Sequence, residues 1–355
     1  MKAASIMVIL SLALTPFVVQ AYDLKKLRQL AAENNVTCML VFGDSSVDPG
    51  NNNYLATDSK GNFPPYGEDF LNHQATGRLS NGKLASDLIA EAFVYKAIIP
   101  GFLDPTLKKE DLVHGASFAS ASSGYDDLTA NLSNVLTLPR QLKYFQHYKI
   151  HLRQLMGVEE ADKRISNGIF LLSMGSNDFV QNYFLEPIRP QQYTLDEYQN
   201  LLVNNMFKHI KVMHRLGARR LVVVGLPPLG CLPLIRTIKG TTNCADSYNE
   251  AAFSFNSKVK AKLEANKASL GMKVMFLDTF SIMVDAISNP QKYGFTETGK
   301  GCCGTGTIEY ADTCKGQPTC PDRSKYIFWD AVHPTEKTYK ILVDEALETI
   351  GLYLG

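Results

Sequence analysis

Two short polar segments near opposite ends of the chain carry residue types that together perform nucleophilic catalysis in many hydrolases. The first places Ser45 in a Gly-Asp-Ser turn, and the second contains Asp330 and His333. A serine hydroxyl is a weak nucleophile until an imidazole takes its proton and a carboxylate orients that imidazole. Because Asp330 and His333 are spaced i and i+3, we expect them to face the same side of a helical turn. These residues predict a Ser-His-Asp triad.

The residues before Ser45 predict the element that positions it. Met39 to Phe42 is a short apolar run that stops at a glycine, which is typical of a buried strand ending in a sharp turn. Ser45 would then lie at the carboxyl edge of the sheet, where open α/β sheets bind their ligands.

Apolar runs of strand length alternate with stretches of helical period along the chain. The predicted strands are Met39 to Phe42, Gly115 to Ala119, Phe170 to Leu172, Leu221 to Val224 and Val274 to Leu277. The predicted helices are Leu84 to Phe93, Arg140 to Met156, Leu195 to Leu216, Ser247 to Leu270 and Glu336 to Ile350, with Pro334 in the first turn of the last. This alternation predicts an α/β fold of three layers, in which helices cover both faces of a mostly parallel sheet.

Two further strand ends are followed by polar turns, at residues 120–124 and 175–178. Acyl transfer needs hydrogen-bond donors aimed at the oxygen that becomes negative in the tetrahedral intermediate. We expect an oxyanion hole made of the backbone N–H groups of Ser45 and Ser122 and the side-chain amide of Asn177. A Gly-Ser-Asn-Asp turn is also a common helix N-cap, which is the alternative interpretation of Asn177.

Several ordered motifs resemble those of the plant GDSL esterase/lipases, which are SGNH hydrolases. They are Phe42-Gly43-Asp44-Ser45 with Asp48, Gly50 and Asn51 to Asn53, then Gly77 to Lys83, Gly175-Ser176-Asn177-Asp178, Gly225 to Cys231 and Asp330-Ala331-Val332-His333-Pro334. The resemblance runs from about Cys38 to the C-terminus. It implies a flavodoxin-like sheet, Ser45 as nucleophile, Asn177 as oxyanion donor, and Asp330 with His333 as the rest of the triad.

One position departs from the pattern of that family. Ser122 stands where relatives have a glycine that supplies the second oxyanion donor. A backbone N–H survives this change, but the side chain narrows the pocket, or opposes a positive φ if the turn requires one. Reduced activity is one expected consequence.

The first residues resemble a secretory signal, with Lys2, an apolar stretch to Val19 and a small-residue end at Ala21. A membrane anchor is the alternative, but the stretch is interrupted by polar residues and is short for a span. We therefore expect residues 1–21 to be removed and residues 22–355 to form one hydrolase domain that is secreted, to the apoplast or cell wall if the plant resemblance holds. Sequons at Asn35 and Asn131 are candidate glycosylation sites.

The seven cysteines fit an oxidising compartment. Cys231 and Cys244 close a short loop, and four others crowd the region before Asp330, so we expect six of them to form structural disulfides; the four are Cys302, Cys303, Cys314 and Cys320. A zinc site in this late cluster is the alternative, although paired CxxC units are missing from it. Cys38 is left over and is expected to be an inert buried thiol.

Composition limits the partners of the chain. A formal net charge of +1 gives no electrostatic reason to expect nucleic acid or an anionic membrane. The sequence therefore predicts a secreted hydrolase of carboxylic esters that uses neither a metal nor another cofactor, acting on a small or polymer-borne ester. Two alternatives remain open: an acyltransferase that uses the same acyl-enzyme, and a catalytically silent binding protein.

Overall fold

The computed structural model describes residues 24–93 and 97–354, so the expected signal at residues 1–21 lies outside the described residues. Its centre is a parallel sheet in which the strand order is β2-β1-β3-β4-β5. The strands are β1 (Met39–Gly43), β2 (Gly115–Ser117), β3 (Ile169–Ser173), β4 (Arg220–Val224) and β5 (Lys273–Leu277). This is the order of flavodoxin-like sheets, and it confirms the expected fold class.

The strands are apolar on both faces because helices cover both faces. In β1, Met39 and Val41 pack into one cluster of buried residues, while Leu40 and Phe42 pack into another on the opposite face. Side chains alternate along a strand, so a continuous apolar run fits a strand buried from both sides. The predicted strand at Gly115 to Ala119 is shorter than expected and forms the edge of the sheet.

Helices form the two outer layers. One layer packs α2 (Ala85–Phe93) against α11 (Glu336–Leu354), together with α1 (Leu24–Glu33) and α10 (Thr279–Ser288). The other contains α4 (Leu138–Met156), α5 (Val158–Ser166), α7 (Leu195–Arg215) and α9 (Asp246–Leu270). Shorter helices are α3 (Asp127–Leu132), α6 (Ile188–Gln192) and α8 (Pro233–Lys239). Within the described ranges, none of these helices combines the length and apolar character that crossing a bilayer requires.

A second, two-stranded parallel sheet lies next to the late cysteines and was not expected from the sequence. It pairs β6 (Glu297–Gly301) with β7 (Tyr326–Phe328), and β7 leads directly into Trp329 and Asp330. The backbone N–H groups of Cys302 and Cys303 both donate to the Trp329 carbonyl, at 2.8 Å each. The small sheet therefore anchors the segment that carries Asp330.

Three disulfides join the six cysteines that were expected to pair. They are Cys231–Cys244, Cys302–Cys320 and Cys303–Cys314. Because the late cysteines are bonded to each other, their thiolates are not available to zinc. Cys38 is a buried free thiol, as expected, and burial raises its pKa to about 12.

Candidate active site

Ser45 lies in the tight turn that follows β1. Gly43 adopts a φ of 152°, and a Cβ at this position would lie 2.0 Å from the Ser173 carbonyl oxygen of the neighbouring strand. The Asp44 N–H donates to that same carbonyl at 3.0 Å, which fixes the start of the turn. Glycine is therefore required before Ser45, because the chain leaves the sheet where the backbone of β3 crowds it.

Asp330 and His333 are hydrogen-bonded to each other, and both are buried. His333 Nδ1 lies 2.7 Å from Asp330 Oδ2 and 3.0 Å from Oδ1. Since a carboxylate only accepts hydrogen bonds, Nδ1 carries the proton of the neutral ring and Nε2 is left as the basic nitrogen. The arrangement provides a base that a carboxylate holds in one tautomer.

The backbone around this pair is not the helical turn that the sequence suggested. Residues 330–333 form a bend in which Asp330 Oδ1 accepts the backbone N–H groups of Val332 at 2.8 Å and His333 at 2.7 Å. Pro334 bridges to Phe328 rather than opening the last helix, which begins at Glu336. An aspartate side chain that accepts from the backbone two and three residues on competes with helix formation, which explains the error.

Ser45, Asn177 and His333 line one cavity of about 120 Å³ at the carboxyl edge of the sheet. Its walls are mostly apolar and come from strands β3 to β5 and from helices α2 and α11. Representative wall residues are Leu171, Val224, Leu277, Ile89, Leu342 and Val343. The structure therefore brings the serine, the histidine and the asparagine to the same chamber.

Unlike Ser45, Asn177 and His333, Ser122 does not line this cavity. Its backbone lies in the left-handed region at φ 67°, and its hydroxyl hydrogen-bonds to the Ser59 hydroxyl at 2.8 Å. The neighbouring Ser123 carbonyl accepts the side-chain amide of Asn177 at 3.0 Å. The turn that carries Ser122 is thus tied directly to Asn177.

Two buried carboxylates fasten the turns at this edge. Asp48 accepts the N–H groups of Gly50, Asn51 and Ala121, which joins the segment after Ser45 to the turn of Ser122. Asp178 accepts the N–H groups of Tyr125 and Asp126. Burial raises the pKa of Asp48 to about 6 and that of Asp178 to about 7, although these hydrogen bonds oppose the rise.

Tyr66 is a site residue that the sequence patterns did not reveal. Its hydroxyl donates to Asp330 Oδ2 at 2.7 Å, although the two residues are separated by 264 positions in the chain. The available signal was a Phe-Pro-Pro-Tyr-Gly run at 63–67, which had no assigned role. A hydrogen bond between such distant segments leaves no periodic pattern in a sequence.

The family model described as GDSL-like Lipase/Acylhydrolase matches residues 39–346, which is most of the chain. The chain belongs to this family. Two relatives from Arabidopsis thaliana agree with it. GDSL esterase/lipase At5g45950 is 54% identical, and the match covers 98% of this chain and 98% of the relative. GDSL esterase/lipase At5g45960 is 44% identical, and the match covers 86% of this chain and 84% of the relative. The resemblance drawn from the sequence motifs is confirmed, and the enzyme class is that of carboxylic ester hydrolases.

Among solved structures, this GDSL family member matches a catalytic mutant of Axe2, an acetylxylan esterase from Geobacillus stearothermophilus. The match has 13% identity and a TM-score of 0.40, and it covers 89% of this chain and 94% of the other.

Asn35 and Asn131 are both solvent-exposed. In the part of the chain that the structure describes, no group of three or more His, Cys, Asp or Glu side chains is arranged to hold a metal ion.

Proposed function

We propose that this protein is a serine hydrolase of carboxylic esters in which Ser45 attacks the acyl carbon. His333 Nε2 takes the serine proton, and Asp330 stabilises the imidazolium that forms. The leaving alcohol receives the proton from His333, and water then hydrolyses the acyl-enzyme. The observation that carries this proposal is the 2.7 Å contact between Asp330 and His333 beside a cavity that Ser45 also lines.

The oxyanion of the tetrahedral intermediate is held, in this proposal, by the Asn177 amide and by the backbone N–H groups of Ser45 and Ser122. Within the described residues, neither of these two N–H groups donates to another protein atom. The Ser45 N–H is the better placed of the two to bind substrate oxygen, because Ser45 lines the cavity and Ser122 does not. One such donor is worth roughly 2.7–4 kcal/mol in the transition state.

The substrate class follows from the walls of the cavity. An apolar chamber gains free energy from burying an acyl chain at about 0.8 kcal/mol per methylene, whereas an acetyl group leaves most of the chamber unfilled. We therefore propose esters with an apolar acyl chain longer than acetyl as the preferred substrates.

The catalytic proposal is tested with Ser45→Ala, compared with Ser166→Ala, which lies at the end of α5 outside the cavity lining. We expect Ser45→Ala to lose about 10³-fold or more in kcat for p-nitrophenyl acetate, while Ser166→Ala resembles wild type. A fluorophosphonate probe should label the peptide that contains Ser45. Full turnover by Ser45→Ala would exclude this mechanism.

The substrate proposal is tested with p-nitrophenyl esters from acetyl to octanoyl, alongside acetylated xylan. We expect kcat/KM to rise with chain length and then level off when the chamber is full. Val343→Leu adds one methylene to the wall and should move that plateau to a shorter chain. A maximum at acetyl in both proteins would contradict an acyl-binding role for the cavity.

Secretion and glycosylation belong to the same proposal. Three disulfides and two exposed sequon asparagines support a protein that matures in an oxidising secretory compartment. We expect the secreted protein to begin at Tyr22 and to lose mass at Asn35 and Asn131 on treatment with a glycosidase that removes N-linked glycans. Intracellular retention of the intact chain would contradict it.

A further inference from the structure

Tyr66 contacts the carboxylate of Asp330 together with the imidazole of His333. Its hydroxyl donates to Asp330 Oδ2 at 2.7 Å, the same oxygen that lies 2.7 Å from His333 Nδ1. Tyr66 is 1% exposed and Asp330 is 0% exposed. A hydrogen bond to a buried charge is stronger than one in water, because no solvent competes for it.

A second contact fixes the direction of this hydrogen bond. The backbone N–H of Ala311 donates to the Tyr66 oxygen at 2.8 Å. The phenol oxygen is thus an acceptor toward Ala311, and its hydrogen points to Asp330. Burial, together with the negative charge of Asp330, raises the pKa of Tyr66 well above its usual value, so the phenol remains protonated.

The phenol is held in place by the loop of the late cysteines. Ala311 lies three residues before Cys314, which is bonded to Cys303, and Cys303 in turn donates its N–H to the Trp329 carbonyl. The Trp329 ring packs edge-on against Tyr66, with centroids 6.5 Å apart. The loop of the late cysteines therefore holds Tyr66 against the segment that carries Asp330.

From this geometry we infer that Tyr66 is a positioning residue of the hydrolytic site, which shares the charge of Asp330 and thereby sets the basicity of His333. The inference rests on the proposed function. With the phenol present, part of the carboxylate charge is neutralised by its hydrogen bond. Without it, the carboxylate stabilises the imidazolium more strongly but is held in place by fewer contacts.

Three other ionisable groups near the pair are common to wild type and the Tyr66 variants. Tyr310 and Tyr339 both interact electrostatically with Asp330, and Asp44 interacts electrostatically with His333. Burial raises the pKa of each of these three side chains, so both phenols stay neutral near pH 7. The profile of a Tyr66 variant should therefore differ from wild type through Asp330 and His333.

The test is the pH dependence of kcat/KM for Tyr66→Phe against wild type. We expect the acidic limb, where the base becomes protonated, to move up by about half to one pH unit, with kcat about tenfold lower. KM should change little, since Tyr66 is not among the described residues that line the cavity.

The matched control is Tyr148→Phe, which removes a buried phenol that donates to the Leu112 carbonyl at 2.7 Å, far from the site in sequence. It should lose stability without moving the limb.

Three further tests extend this experiment, and the first two do not depend on the folding of Tyr66→Phe. 4-Fluorophenylalanine at position 66 fills the volume of the hydroxyl but cannot donate, and should shift the limb as Phe does. 4-Aminophenylalanine retains a donor and should restore the wild-type limb. In an Asp330→Asn background, Tyr66→Phe should have no additional effect on kcat, because the carboxylate through which Tyr66 acts on His333 is absent.

The outcomes separate this inference from the proposed function. If Ser45→Ala is inactive and both Tyr66→Phe and the fluorinated variant keep the wild-type limb and kcat, Tyr66 has only a structural role and the inference is wrong. If Ser45→Ala retains full turnover, the proposed function is wrong, whatever Tyr66 does.

Discussion

Ser122 adopts a backbone conformation that most side chains avoid. Its φ of 67° lies in the left-handed region, where the family glycine would carry no penalty. The sequence raised the concern that a serine would oppose a positive φ here, yet the turn keeps it. The hydroxyl that hydrogen-bonds to Ser59 offsets part of the cost. A serine in place of glycine at position 122 therefore changes the stability of the protein more than it changes the position of the Ser122 N–H group.

Substitutions at Ser122 should separate these two effects. Ser122→Gly removes the backbone strain but also the hydrogen bond, so we expect its free energy of unfolding to stay within about 1 kcal/mol of wild type. Ser122→Val keeps the strain, adds a β-branch and removes the hydroxyl, so it should lose roughly 1–3 kcal/mol. Urea unfolding of both variants measures this. Equal stability of the two would mean that φ at this position carries no cost.

At the scale of elements, the turns that follow β2 and β3 act as one unit because Asp178 joins them. Its two oxygens accept the N–H of Tyr125 at 2.7 Å, the N–H of Asp126 at 3.1 Å and the Thr129 hydroxyl at 2.6 Å. A Cβ on Gly124 would lie 2.1 Å from this carboxylate, so the contact also explains that glycine. Asn177 precedes Asp178 and is oriented by the same unit.

Asp178→Asn should loosen this unit. An amide must turn its NH₂ toward at least one of the three donors, so we expect a loss of roughly 1–3 kcal/mol in stability. kcat should also fall, because the Asn177 amide is less well oriented. Thermal unfolding and p-nitrophenyl ester kinetics measure the two effects. Asp312→Asn, at an exposed position, is the control and should change neither; an Asp178→Asn protein with wild-type unfolding would contradict the linking role.

The same carboxyl makes stability depend on pH. Burial raises the pKa of Asp178 from 3.8 to about 7 in the folded protein. Between these values the folded chain holds a proton that the unfolded chain has released, so its contribution to stability is full below about pH 4 and declines as the pH rises through 7. Asp178→Asn lacks this dependence. The stability difference between wild type and variant should therefore be larger at pH 5 than at pH 8, and a difference that grows with pH would contradict the raised pKa.

At the scale of the whole molecule, the late disulfides brace the loop between β6 and β7, which hydrogen-bonds to the segment that carries Asp330. Cys303–Cys314 closes the loop that reaches Tyr66 through Ala311. We expect the double substitution of both cysteines by serine to cost about 2–4 kcal/mol. It should also slow fluorophosphonate labelling at temperatures where the protein remains folded. Thermal unfolding and labelling rates measure the two, and unchanged labelling would mean that this loop does not support the site.

The main sheet was predictable from sequence because local patterns specify it. A buried parallel strand such as residues 39–42 is a continuous apolar run, and a glycine marks its end where the turn crowds the next strand. The placement of Ser45 and His333 beside one cavity followed from the family motifs. Tyr66 did not follow, because its partner is distant in the chain and nothing periodic links them. The bend at Asp330 was missed because a side chain, rather than a backbone propensity, decides it.

The rate at which Cys38 reacts with a thiol reagent measures how often the main sheet opens beside β1. Its sulfur is fully enclosed beside β1, and the other six cysteines are already bonded, so a thiol reagent added to the native protein has this single target among the described residues. Chemical modification then reports how often the chain at the start of β1 becomes accessible to solvent. The frequency of that opening can be measured without introducing a further cysteine.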